Sequence, residues 1–290
     1  METTQLKSLQ QEVLKLEEEL VELLFKQSDL LLKQKPYLEH EYAKHIGSLE
    51  FDLYWVTVRG QRMKKMRELI QASINTGGFY DLASINTELD TEFKSFQNHI
   101  EQKANAIRYG LLNSWIVDNR SPETLDRIKR IYHDLVKKLH PDLNPNQSAD
   151  DYAAFLAVGR AYRSNDLEAL LAWHSLYKNK RSNLLNVDEL LDRRAALTAN
   201  IQKMKEWFIA TANEFPFNME TLLCNEESLL QKQEELNRDI CQAVTKCHKY
   251  IEDILEVLSD EDLHALDTSF FDDEKYNNII LKRFGERRID

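Results

Sequence analysis

The sequence predicts an all-α protein, and three observations carry that expectation. Seven glycines and five prolines in 290 residues leave few positions for tight turns, 30% of the residues are charged, and apolar residues recur at alternating steps of three and four along most of the chain. That spacing is the period of one helix face, and sustained over several turns it is a coiled-coil seam. A sheet-based enzyme fold needs more turn chemistry than this composition supplies. The arrangement expected is a short antiparallel helical hairpin flanked by two long coiled-coil hairpins. It falls into three consecutive parts, 1–117, 118–178 and 187–290.

The first seam runs Leu6, Leu9, Val13, Leu16, Leu20 and Leu23. Pro36 should interrupt it, because proline has no amide to donate and its ring crowds the preceding turn. A second seam follows through Tyr42, Ile46, Leu49, Leu53, Val56, Gly60, Met63, Ile70 and Ile74. The two helices, each about 45 Å long at 1.5 Å per residue, are expected to fold back on one another. Thr76-Gly77-Gly78 ends the second helix. A third seam, Ile85, Leu89, Phe93, Phe96, Ile100, Ala104, Ile107 and Leu111, leads to Trp115 and a turn at Asp118–Pro122. The part reads as a three-helix bundle or an extended arm. The basic run Arg59, Arg62, Lys64, Lys65 and Arg67 reads as a solvated face paired with Glu17, Glu18 and Glu19.

The stretch Ser121 to Tyr162 is where residue types specify a site. Ser121 followed by Pro122 is a helix start: the hydroxyl accepts from an orphan amide, and proline at the first position loses nothing by lacking one. Leu125, Ile128, Ile131, Tyr132, Leu135, Val136 and Leu139 form an apolar stripe. Between Leu125 and Leu139, Arg127, Lys129, Arg130, Lys137 and Lys138 stand against Asp126 and Asp134, a local +3 in a chain of net charge −11. Pro141 stops the helix and pushes His140 to extended dihedrals. A polar loop with Pro145 follows. A second helix then carries Tyr152, Phe155, Val158 and Tyr162 toward the first, with Gly159 expected to let the two backbones approach closely.

Beyond it, Arg163–Tyr177 should form one more short helix anchored by Trp173, and Lys178–Asn186 a polar link. Val187, Leu190, Leu197, Ile201, Met204 and Phe208 resume the spacing, Glu214–Asn218 breaks it, and Leu222, Leu229, Leu236, Ile240, Val244, Cys247, Ile251, Ile254 and Leu258 continue it as a second hairpin. Ser259–Asp262 reads as a capping box, and Tyr276–Phe284 as an apolar tail that docks back or meets a partner. Such seams must be buried, by bundling within the chain or in a homodimer through the coiled coils, and the spacing fits both.

The run Ile128-Lys-Arg-Ile-Tyr-His-Asp-Leu-Val-Lys-Lys-Leu-His140-Pro141-Asp142-Leu-Asn144-Pro145, followed by Phe155-x-x-Val158-x-x-Ala161-Tyr162, resembles the J domain of DnaJ-type co-chaperones over about a seventh of the chain. The resemblance implies docking on a DnaK-type ATPase chaperone. Lys129, Arg130, Lys137 and Lys138 would then steer the encounter, and His140, Pro141 and Asp142 would promote ATP hydrolysis by the partner. Two residues depart from the usual pattern: His133 and Asp134 stand where J domains carry basic residues after the tyrosine. The cysteine-rich zinc module of larger DnaJ proteins is not expected, because Cys224, Cys241 and Cys247 form no Cys-x-x-Cys pair.

Composition narrows the remaining classes. Net charge −11 disfavours nucleic acid as principal partner, since phosphate affinity comes largely from lysine and arginine. No apolar run approaches the length of a membrane span, and the N-terminus lacks signal-peptide regions, so a cytoplasmic location is expected. No nucleophile with a base, phosphate loop or metal-ligand set can be placed, so neither a catalytic site, a cofactor nor a metal is expected. The expected function is that of a co-chaperone whose coiled coils select a client or complex. A coiled-coil scaffold with a J-like interaction module, and a phosphate-surface binder using the basic runs, are the alternatives.

Overall fold

The computed structural model describes residues 2–112, 120–177 and 186–258, and every regular element among them is helical. Trp115, most of the 178–186 link, the Ser259–Asp262 capping box and the Tyr276–Phe284 tail lie outside the described residues. The fold is all-α. Two compact units form, one from Met1–Glu39 with Asn113–Glu220 and one from His40–Leu112 with Thr221–Asp290. Each unit draws on two separated stretches, whereas the sequence suggested three consecutive parts.

The break expected at Pro36 does not occur. Helix α1 (Glu2–Asp29) passes into a π-helical turn at Leu30–Gln34, where the Lys35 amide donates to the Leu30 carbonyl, and α2 (Lys35–Tyr42) continues with Pro36 inside it. A wider turn just before the proline accommodates a residue that cannot donate to the ladder. A second π-turn, Ala43–Gly47, precedes α3 (Ser48–Asn75).

In the first unit the seam of α1 is taken up by α8 (Val187–Ala212) and by α5 (Pro122–Leu139). Leu20 and Leu24 pack in one core with Leu197 and Ile201. Glu12 pairs with Arg194 at 3.3 Å and Glu19, further along α1, with Lys205, further along α8, at 2.7 Å, so α1 and α8 run parallel; Glu17 meets Arg193 at 3.1 Å between them. Helices α6 (Ala149–Arg163) and α7 (Leu167–Leu176) complete this unit against α5.

The second unit repeats the scheme. The α3 seam lies on α4 (Leu82–Leu112) and α10 (Glu226–Leu255), the latter entered after a short α9 (Glu220–Cys224). Val56, Met66, Leu89, Ile240 and Cys247 meet in its core. Gly77 at φ +73° turns the chain from α3 into α4 as the Thr76-Gly77-Gly78 signal predicts. The expected hairpin partners are thus replaced: each long N-terminal helix pairs with a helix from the C-terminal third. A seam specifies that a helix is buried, and the choice among equally apolar partners is made by tertiary packing.

The basic run on α3 is a solvated face only in part, with Lys64 exposed and paired with Glu68, and its acids are not Glu17–Glu19. Arg59 and Arg62 are buried, Arg62 meeting Asp90 at 2.8 Å and Asn86 at 3.4 Å, while Lys65 pairs with Glu92 and Arg67 with Asp253. The acids that meet Arg62, Lys65 and Arg67 come from α4 and α10 because those helices flank α3. Gly159 also differs from expectation: a Cβ there would meet nothing within 4 Å. Replacing it with alanine is therefore expected to stabilise the first unit by about 0.5–1 kcal/mol through helix propensity alone, read from the urea midpoint. A loss of stability would restore the close-approach role.

Candidate functional site

Helix α5 begins as its sequence requires. The Ser121 hydroxyl accepts from the Thr124 amide at 3.3 Å, and Pro122 occupies the first turn. The stripe Ile128, Ile131, Tyr132, Leu135, Val136 and Leu139 is buried. The opposite arc carries charge: Lys129, Arg130 and Lys137 are exposed and Lys138 is half-buried. Arg130 and Lys137, seven apart, stand on one line near the middle of that arc.

The two flanks of this arc explain His133 and Asp134. On the α1 side, His133 lies edge-on to Phe25, centroids 5.5 Å apart, with Nε2 3.1 Å from Glu22. On the α7 side, Asp134 lies 3.3 Å from His174 Nε2. Both residues thus face neighbouring helices of their own unit, and Arg130 and Lys137 remain between them, with Lys129 on the α1 side of His133.

At its C-terminus α5 runs into a tight turn. His140 is extended at φ −69°, ψ 133°, as proline demands of the residue before it, and its amide still reaches the Val136 carbonyl at 2.9 Å. Its carbonyl accepts from the amides of Leu143 (3.1 Å) and Asn144 (2.9 Å) and from Asn144 Nδ2 (3.1 Å). The Asp142 amide donates to His140 Nδ1 at 3.1 Å, which places the ring proton on Nε2. Phe155 of α6 packs edge-on against the imidazole at 4.9 Å. Burial pushes the His140 pKa down, only partly opposed by Asp142, so the ring is neutral at pH 7. His140 and Pro141 are half-buried, and the Asp142 carboxylate is exposed.

The turn is therefore a fixed corner whose protruding group is an anion, at the end of a cationic face. It offers a partner an acceptor for a guanidinium or ammonium, with the imidazole Nε2–H beside it. The seven residues singled out in the sequence, Lys129, Arg130, Lys137, Lys138, His140, Pro141 and Asp142, come together on this one helix and turn.

Three features of the site had no separate signal in the sequence reading. Asn144 closes the turn onto α5. Helix α1 cradles the hairpin from behind, Phe25 lying against Tyr132 and Tyr162 while Asp29 accepts from the Tyr162 hydroxyl at 2.7 Å. Arg193 of α8 reaches the Leu143 carbonyl. Among the described residues, no group of three histidines, cysteines or acids could hold a metal ion, and no helix is long and apolar enough to cross a membrane. Compared with known protein families, with curated proteins and with solved structures, the chain matches none.

Proposed function

We propose that this chain is a J-domain-type co-chaperone: α5 and its His140-Pro141-Asp142 turn dock on a DnaK-type ATPase chaperone and stimulate its ATP hydrolysis, while the paired long helices select the client or complex. The chain itself performs no chemistry in this reading. The observation that supports it best is the coincidence of an exposed Asp142 on a hydrogen-bonded corner with exposed Lys129, Arg130 and Lys137 on the helix leading into it. The cations orient the encounter, since complementary charge chiefly raises the on-rate and fixes register. The preformed corner then engages without first being ordered. A cytoplasmic setting goes with such a partner.

The second reading is a scaffold whose J-like module binds without stimulating an ATPase. It is favoured by Asp134, an acid on the arc where the docking face would be basic, although His174 lies beside it. Steady-state ATP hydrolysis by a DnaK-type chaperone separates the two. Wild type is expected to raise the rate several-fold, and His140→Gln and Asp142→Asn to leave it at the basal value. Equal rates with all three proteins remove the co-chaperone reading and leave the scaffold.

A further inference from the structure

Arg193 belongs to α8, outside the stretch that resembles a J domain, yet it holds the corner. Its Nη2 donates to the Leu143 carbonyl at 2.8 Å, and its Nε and Nη2 both reach Glu17 Oε1 at 3.1 Å. The contact is sheltered: 16% of the Arg193 side chain and 26% of the Glu17 side chain are exposed, and Leu143 itself is buried in the core of the unit. The carbonyl one residue beyond Asp142 is therefore fixed to the parallel α1–α8 pair. From the other side, Asn144 Nδ2 reaches the Lys137 carbonyl of α5 at 3.4 Å as well as the His140 carbonyl.

The chemistry suits a brace. A guanidinium presents donors in a rigid plane, so one group bridges a carboxylate and a backbone carbonyl at once, and charge assistance strengthens both bonds. Without it, the backbone of Pro141–Asn144 would keep only the turn's own hydrogen bonds, those of Asn144 and the packing of the buried Leu143 side chain.

We propose that Arg193, set in place by Glu17, is a positioning residue for the His140–Asp142 turn, so that the paired long helices control how firmly the corner is presented to a partner. Its effect on an ATPase rests on the function proposed above. Its effect on the turn does not. Displacing Glu17 from Arg193, as an occupant spreading α1 and α8 would do, frees the turn without altering the cationic face of α5.

Two variants of the full chain test this. Arg193→Met keeps the apolar stem and removes the donors; Glu17→Gln keeps the shape of the anchor and removes its charge. Amide hydrogen exchange at Leu143 and Asn144, both bonded to the His140 carbonyl, is expected to accelerate about tenfold or more in each variant, while exchange at Leu135 and Leu139 in α5 stays as in wild type. In the ATPase assay the maximal stimulation should fall several-fold, with the half-saturating concentration within about twofold of wild type because the docking cations are untouched. Unchanged exchange at the turn overturns the proposal whatever the ATPase does. Equal acceleration throughout α5 also overturns it, by showing a general structural role. If the turn alone loosens but wild type stimulates nothing, the brace stands and the co-chaperone function falls.

Discussion

Replacing Tyr162 with alanine is expected to destabilise the first unit by about 3–5 kcal/mol, the range for removing a large buried aromatic. The side chain is fully buried, stacks on Tyr132 at 3.9 Å and 8°, and packs against Phe25. Its hydroxyl donates to Asp29, and Lys33 lies 4.5 Å from its ring centroid. Burial and the neighbouring Asp29 carboxylate push the phenol pKa well up, so the group stays a neutral donor across the accessible pH range. Tyr162→Phe isolates the hydrogen bond. Because Asp29 is only half-buried and keeps water as an alternative donor, that variant is expected to cost about 1–2 kcal/mol. Urea unfolding followed by circular dichroism reads both, and a loss below about 1 kcal/mol for the alanine variant would show that α1 does not clamp the hairpin.

The second large effect concerns docking. Reversing Arg130 and Lys137 together to glutamate turns the centre of the cationic arc negative in a chain already at −11. The half-saturating concentration in the ATPase assay is expected to rise about tenfold or more, equivalent to at least about 1.4 kcal/mol of binding. Both side chains are exposed, so folding is expected to be unaffected. Raising the ionic strength with wild type should weaken docking in the same direction, since exposed charges are screened beyond about 10 Å at 0.1 M salt. An unchanged half-saturating concentration would take the α5 face out of the interaction.

Much of the candidate site was legible because local chemistry decides it. Ser121 and Pro122 start α5, its stripe is unbroken, and Pro141 followed by the turn residues Asp142, Asn144 and Pro145 ends it. The pairing of the long helices was not legible for the opposite reason: any leucine seam satisfies another. One clue stood beside the α1 seam. Val21, Leu24 and Phe25 widen the stripe of Leu20 and Leu23 beyond what a single partner covers, and the structure gives α1 two, α8 and α5. Arg59 and Arg62 were read with the lysines of their run, although they interleave with Val56, Met63 and Met66 on the buried side of α3. Pro36 misled because a proline predicts a lost hydrogen bond, and a π-turn can absorb one without ending the helix. Arg193 gave no signal, since an arginine on a coiled-coil flank is ordinarily a surface charge.

Hydrogen–deuterium exchange of this chain with and without an ATP-loaded DnaK-type chaperone reads directly where the proposed partner sits. Protection is expected between Lys129 and Asn144, strongest at Asp142 and at the exposed turns of α5, and lost with Asp142→Asn. Absence of protection in that segment at saturating chaperone, or protection confined to α3, α4 and α10, would contradict the proposed docking.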